Sequence, residues 1–218
     1  KVIAIEKDRL LADYLKTKFT NQKNVIIVED DILKFNPSDY SLQTSHYKLV
    51  GNIPYYLTSY LLRIVFENWL VLNKVEGPRP ELLVLMLQKE VAQRIVAKPP
   101  HMSLLAVSVQ YYSKPKIVAY VSRGSFYPSP EVNSAIVSLE TRTDRLGPEK
   151  TTNFFKVVKA GFAGKRKQLG NNLARELKLS KNAIEQKLKS IGINPMRRAE
   201  TLTIDEWGAI ANTFLPRD

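Results

Sequence analysis

Cysteine is absent from all 218 residues, and histidine occurs only twice, at His46 and His101. Without a thiol the chain forms no disulfide, offers no thiolate nucleophile and holds no cysteine-based zinc site. Two isolated histidines make no ligand cluster, so no metal is expected. No apolar stretch approaches the roughly 20 residues that cross a bilayer, and the first residues show no secretory-signal pattern. A cytoplasmic protein without membrane contact is therefore expected. Also missing are a Gly-X-Gly-X-X-Gly phosphate cradle, any internal repeat and any low-complexity tract.

What is present describes a globular chain with an anionic partner. Hydrophobic residues make up 44% and charged residues 25%, in the range of a folded domain with a real core. A mass of 24.8 kDa fits one medium domain with an appendage. The formal charge is +12, and it is unevenly spread. From Thr141 onward there are 16 Lys/Arg against 8 Asp/Glu, while the longer N-terminal part has 17 against 13. Such a concentration in the smaller part points to a nucleic-acid surface.

The apolar run ending at Glu6 reads as a strand, and Asp8 then caps a helix with Leu11, Leu15 and Phe19 at helical spacing, backed by Leu10 and Tyr14. Val25 to Val28 is a second strand, ending in Glu29-Asp30-Asp31. Strand-helix-strand with an acid closing each strand is half of a doubly wound unit, whose ligands sit outside the carboxyl ends of the strands. Glu6 is then placed for ribose hydroxyls. Asp31 is placed for an adenine amino group, with Ile32 beside it for apolar contact. Leu49-Val50 forms a third strand, and Thr58 to Phe66 the helix after it. Gly77 to Pro80 is a turn. Leu82 to Leu87 reads as a parallel strand buried on both faces, and Gln88-Lys89-Glu90 opens a helix. A helix from Ser103 to Tyr112 precedes an antiparallel pair, Lys116 to Val121 and Val132 to Leu139. After Thr141 the pattern changes to short helices, the first carrying Lys156 and Lys159 on its polar side and leading into Lys165-Arg166-Lys167. Others run about Leu169 to Leu177, Lys181 to Ile191 and Ile204 to Phe214. The domains are drawn at 1–143 and 144–218.

The chemistry concentrates in Gly51-Asn52-Ile53-Pro54-Tyr55, where the third strand ends. The Asn52 side-chain oxygen and a backbone carbonyl near Pro54 can each accept one hydrogen of an aryl amine, while the Tyr55 ring stacks on the base face. Holding both hydrogens favours a pyramidal nitrogen with its lone pair aimed at an electrophile. Reaction then depends on positioning and electrostatics rather than on a general base. The rigid connector Gly124 to Pro130 carries Phe126, which could be the second plate of a base clamp facing Tyr55. The same residues would also suit an ordinary strand-to-helix turn and an aromatic plug at the sheet end.

Five motifs in order decide between these readings: Gly51 to Tyr55; Gln88-Lys89-Glu90-Val91-Ala92; Phe126-Tyr127-Pro128-Ser129-Pro130-Glu131-Val132-Asn133-Ser134-Ala135; Lys165 to Leu169 with Asn171-Asn172-Leu173; and Arg198-Ala199-Glu200-Thr201-Leu202. Together they resemble the rRNA adenine N6,N6-dimethyltransferase family, in its small-subunit KsgA type, over nearly the whole chain. The resemblance implies an α/β fold: a Rossmann-like class I methyltransferase sheet followed by a small all-helical domain that binds rRNA. It implies S-adenosylmethionine as donor, and two adjacent adenosines near the 3′ end of 16S rRNA as substrate, in the 30S subunit or its precursor during ribosome biogenesis. A monomer is expected. Carried over by position, Asn52, Pro54 and Tyr55 are similar to the catalytic motif, and Glu6, Asp31, Ile32 and Asn52 to cofactor contacts. Tyr55 and Phe126 are similar to the stacking pair, and Lys156, Lys159, Lys165, Arg166 and Lys167 form the expected RNA surface.

One departure stands out. The family places a first strand and glycine loop before the ribose acid, whereas only five residues precede Glu6 here. The sequence is therefore expected to be an N-terminally shortened form that binds the cofactor poorly, with two strand edges left unpaired where the first strand would lie. A shorter loop at Pro99 to Met102 is a lesser departure. Two alternatives stay open: an adenine N6-methyltransferase acting on 23S rRNA, or a non-catalytic RNA-binding assembly factor.

Overall fold

A computed structural model describes residues 1–40, 47–66, 80–142 and 148–214. The turn expected at 77–79, the boundary expected at 143/144 and His46 lie outside these residues.

Strand β1 (Val2–Glu6) runs into helix α1 (Arg9–Lys18) and back into β2 (Val25–Glu29), which pairs with β1 in parallel, Glu6 opposite Glu29. Asp8 caps α1 as its spacing requires, accepting the Leu11 N–H at 3.0 Å. The apolar face of α1 departs from expectation. Only Ala12 is buried, and Leu10, Leu11 and Tyr14 are 81%, 53% and 60% exposed. Their spacing is amphipathic, but among the described residues no element packs over that side.

The larger sheet has the order β3-β4-β6-β5. β3 (Tyr47–Asn52) lies parallel to β4 (Pro80–Gln88), which runs antiparallel to β6 (Ser134–Thr141), and β6 runs antiparallel to β5 (Ser113–Val121). β1 pairs only with β2, and β3 only with β4, among the described residues. One edge of each is thus without a ladder among the described residues. β4 is not uniformly buried. Leu83, Leu85 and Leu87 are fully covered while Leu82, Val84 and Met86 are half-covered, because alternate residues point to opposite faces of the sheet and only one face is fully packed.

A 3₁₀ turn at Tyr55–Leu57 leads into α2 (Thr58–Arg63). Helix α3 (Lys89–Ile95) follows β4 without a loop, and α4 (Leu104–Tyr112) is capped by Ser103, which accepts from the Ala106 N–H. The early strand-to-helix switch at Gln88 holds α3 beside the carboxyl end of β4, against β6 and β5. Helices α5 (Pro148–Phe162), α6 (Leu169–Leu177), α7 (Lys181–Ser190) and α8 (Ile204–Phe214) close the chain.

Aromatic rings fasten α4 to α5 and to the segment after α2. Tyr111 of α4 stacks on Phe154 of α5 at 4.1 Å between centroids, and Tyr112 lies between Phe66 and Phe155. Each such pair adds about 0.5–1.5 kcal/mol beyond the area it buries. The connector before α4 joins in, its Met102 N–H donating to the Glu200 carbonyl at 3.0 Å. Within the helical part, Gly161 lets α5 approach α8 closely. A Cβ there would sit 2.3 Å from a ring carbon of the fully buried Trp207.

Candidate active site

Three strand ends carry the residues singled out in the sequence. Since β3 and β4 are parallel, with Asn52 opposite Met86, Asn52 leaves the sheet on the same side as Gln88. Its amide has no hydrogen-bond partner among the described residues, and its side chain is exposed. Pro54 then turns the chain. Its carbonyl accepts the Leu57 N–H at 2.9 Å, which occupies one lone pair and leaves the second. The Tyr55 hydroxyl lies 2.7 Å from the Ser134 Oγ. Ser134 is fully buried at the start of β6, so the ring is held at its far end by a fixed anchor.

Opposite these residues stands the connector after β5. A 3₁₀ turn at Arg123–Ser125 and the Ser129 Oγ, which donates to the Arg123 carbonyl at 2.9 Å, set its path. Asn52, Pro54 and Tyr55 on one side, and Phe126, Tyr127 and Pro130 on the other, line a cleft of about 290 Å³. The structure therefore brings Asn52, Pro54, Tyr55 and Phe126 together. Tyr127 is fully exposed at the rim, so this ring does not plug the sheet. A cleft of this size, near the lower end of ligand sites at about 300–1,000 Å³, suits a single base.

The acids form a second group. Glu6 Oε1 accepts the Asp8 N–H at 2.8 Å, leaving the other carboxylate oxygen free of partners among the described residues. Asp31 accepts the Leu33 N–H at 3.0 Å through Oδ1 and the Lys7 ammonium at 2.8 Å through Oδ2. The Lys7 hydrogen bond, with the Leu33 N–H next, holds the Asp31 carboxyl below its ordinary value. The same bond raises the Lys7 ammonium. Ile32 is half-buried against the core. None of Glu6, Asp31 or Ile32 lines the cleft at Asn52.

For a nucleoside-bearing cofactor the donor set fits at the adenosine half. A free Glu6 oxygen suits ribose hydroxyls, and Asp31 with Ile32 suits a purine edge. Lys7 is the partner that Asp31 would have to share.

The five lysines and arginines expected to bind RNA are all exposed. Lys156 and Lys159 lie on α5. Lys165, Arg166 and Lys167 occupy the turn between α5 and α6, which Asn172 organises. Fully buried, Asn172 donates its amide hydrogens to the carbonyls of Gly161 at 2.7 Å and Gly164 at 3.0 Å. Sequence reasoning assigned no role to Ser134, Asn172 or Lys7. Ser134 and Asn172 stood inside quoted motifs, but their partners are distant in the chain or are backbone carbonyls.

Comparison with known proteins adds an independent line. Residues 1–215 match the family model described as ribosomal RNA adenine dimethylase. A protein of Dehalococcoides mccartyi named ribosomal RNA small subunit methyltransferase A is 44% identical over 208 residues, covering 95% of this chain and 69% of the relative. One of the same name from Geobacillus thermodenitrificans is 35% identical, covering 99% and 74%. Among solved structures, a dimethyladenosine transferase from Plasmodium falciparum superposes with a TM-score of 0.75 at 22% identity, covering 96% of this chain and 80% of that one. The 23S rRNA methyltransferase ErmE gives 0.74 at 24% identity, covering 98% and 82%. At these identities the last two speak to the fold alone.

Proposed function

Since this chain belongs to the ribosomal RNA adenine dimethylase family, we propose that it methylates the exocyclic N6 of adenosine in small-subunit rRNA. The full reading is N6,N6-dimethylation of two adjacent adenosines near the 3′ end of 16S rRNA, within the 30S subunit or its precursor in the cytoplasm. S-adenosylmethionine, when bound, supplies the methyl group as a sulfonium whose carbon accepts the amine lone pair.

The observation that carries this reading is the cleft at the end of β3. There an unpartnered amide, a prolyl carbonyl with a spare lone pair and a ring pinned by Ser134 face Phe126. An adenosine drawn out of its stack costs a few kcal/mol. Tyr55 and Phe126 offset it by roughly 1–3 kcal/mol per stacked contact. The Asn52 Oδ1 and the Pro54 carbonyl each accept one N6 hydrogen, which turns the nitrogen lone pair away from both. Asn52 and Tyr55 thus fix the nucleophile's direction, and the proton released on alkylation passes to solvent. Glu6, Asp31 and Ile32 hold the adenosine half of the donor at the neighbouring strand ends. We assign rRNA binding to residues 144–218, whose lysines and arginines at positions 156, 159 and 165–167 neutralise phosphates. The small-subunit assignment is preferred over 23S rRNA because relatives at 34–45% identity carry the small-subunit name.

Methylation of 30S subunits that lack the modification, read by primer extension across 16S rRNA, tests the proposal. The expected result is a new reverse-transcription stop near the 3′ end that Asn52→Ala abolishes. A stop in 23S rRNA alone, or none with either protein, contradicts it.

A further inference from the structure

The connector between β5 and β6 has two sides, and only one faces the base cleft. Phe126, Tyr127, Pro128 and Pro130 line that cleft, whereas Arg123 and Glu131 to Asn133 line a second one of about 570 Å³. Its opposite wall is Gln88, at the end of β4, with Lys89, Glu90 and Gln93 from α3. Pro130 lines the first cleft and Glu131 the second, so a single pass of backbone forms the wall they share.

The partition is firmly built. The Asn133 Oδ1 accepts the Arg123 N–H at 3.0 Å, and the Asn133 carbonyl accepts the Lys89 N–H at 2.9 Å. These bonds tie both ends of the connector to each other and to α3. The chemistry left facing the cleft is mixed. Arg123, Lys89, Glu90 and Glu131 line it together, yet none forms an ion pair among the described residues. Gln88 and Gln93 present side-chain amides without hydrogen-bond partners among the described residues. Lys89 is steadied by the Tyr120 ring, 5.4 Å from its ammonium. Two carboxylates disfavour a bare polyphosphate, and two cations disfavour a simple cation. Amides and carboxylates, which donate to and accept from a base edge, beside cations for a single phosphate, suit one nucleotide of RNA.

We propose that this cleft is a subsite for the nucleotide that directly adjoins the target adenosine in the RNA strand. Its phosphate lies on Arg123 and Lys89, and its base edge on Gln88 and Gln93. The inference rests on the reading of the base cleft given above. With the partition one chain thick, a single sugar-phosphate step carries the strand from one cleft to the other, and two held nucleotides fix the target more tightly than one.

Fluorescence anisotropy with a hairpin RNA bearing the target adenosine tests it, using the intact RNA and versions with one base removed at the target or on either flank. The proteins are wild type, Gln93→Ala, Arg123→Gln and Tyr55→Ala. Positions 93 and 123 are exposed, and the Arg123 hydrogen bond above uses its backbone, so both variants keep the fold; matching thermal melts check this. Removing one of the two flanking bases is expected to weaken wild-type binding about tenfold, the worth of one or two hydrogen bonds. Gln93→Ala should weaken the intact RNA similarly and add no loss on that abasic RNA. If target-base removal weakens binding but neither flank does, or if a flank matters without coupling to Gln93, the subsite is overturned and the base cleft stands. If neither target nor flank removal matters and Tyr55→Ala methylates 30S subunits as fast as wild type does, the reading of the base cleft falls as well.

Discussion

Replacing Tyr55 separates two things its side chain does. The ring offers a face to the base, and the hydroxyl, 2.7 Å from the buried Ser134 Oγ, holds that face in place. Tyr55→Ala removes both. Loss of stacking at roughly 1–3 kcal/mol corresponds to about 5- to 150-fold. Tyr55→Phe keeps the ring and removes one hydrogen bond, worth about 0.5–1.5 kcal/mol or about 2- to 12-fold. Ser134→Ala breaks the same bond from the other side, so it should match Tyr55→Phe, and the double variant should be no worse than either single one. The assay is the single-turnover methylation rate on 30S subunits, with RNA affinity measured in parallel. Because the basic surface lies elsewhere, affinity should change far less than rate. If Tyr55→Phe is as slow as Tyr55→Ala, or the Phe and Ser134→Ala losses simply add, the hydroxyl does not act through Ser134 and the argument fails.

Other consequences can be checked on the folded protein. Gly161→Ala drives a methyl group into the Trp207 ring; overpacking of about 1–3 kcal/mol should lower Tm by several degrees in a thermal melt, and an unchanged Tm would show that α5 and α8 can separate freely. Asn172→Ala leaves the Gly161 and Gly164 carbonyls without their donor, at about 1–3 kcal/mol, measured by urea unfolding. Lys165→Ala with Arg166→Ala should flatten the log–log salt dependence of RNA binding by about 0.7–0.9 per lost phosphate contact, and an unchanged slope would remove this turn from the interface. Burial pushes the Glu206 carboxyl up, but hydrogen bonds from Arg197 and from the Thr203 N–H outweigh it and leave a net lowering below 4.5. A carboxyl lowered by folding stabilises above its unfolded value and loses that contribution as pH falls through its folded value. Acid titration of stability should therefore show a decline below about pH 4.5 that Glu206→Gln makes shallower.

Much of the fold was legible because the signals were local. Asp8 and Ser103 capped the helices their spacing demanded, and the apolar runs ending at Glu6, Glu29 and Asn52 became strands. What the sequence concealed depends on pairs far apart in the chain. The Tyr55–Ser134 bond spans 79 positions and emerges only once β4 aligns Gln88 with Ser134. The partition between the two clefts likewise requires the Asn133 contacts to Arg123 and Lys89. Where local pattern misled, a tertiary partner decided. Leu10, Leu11 and Tyr14 repeat with helical spacing yet remain in solvent, and the run through β4 looked evenly buried although only alternate residues are.

The most direct measurement is quantitative mass spectrometry of nucleosides from 16S rRNA after 30S subunits are incubated with S-adenosylmethionine and either wild-type protein or Asn52→Ala. N6,N6-dimethyladenosine is expected with wild type and not with Asn52→Ala, at equal RNA binding. Dimethylation by Asn52→Ala at the wild-type rate would contradict the claim that the strand-end amide directs the adenosine amine.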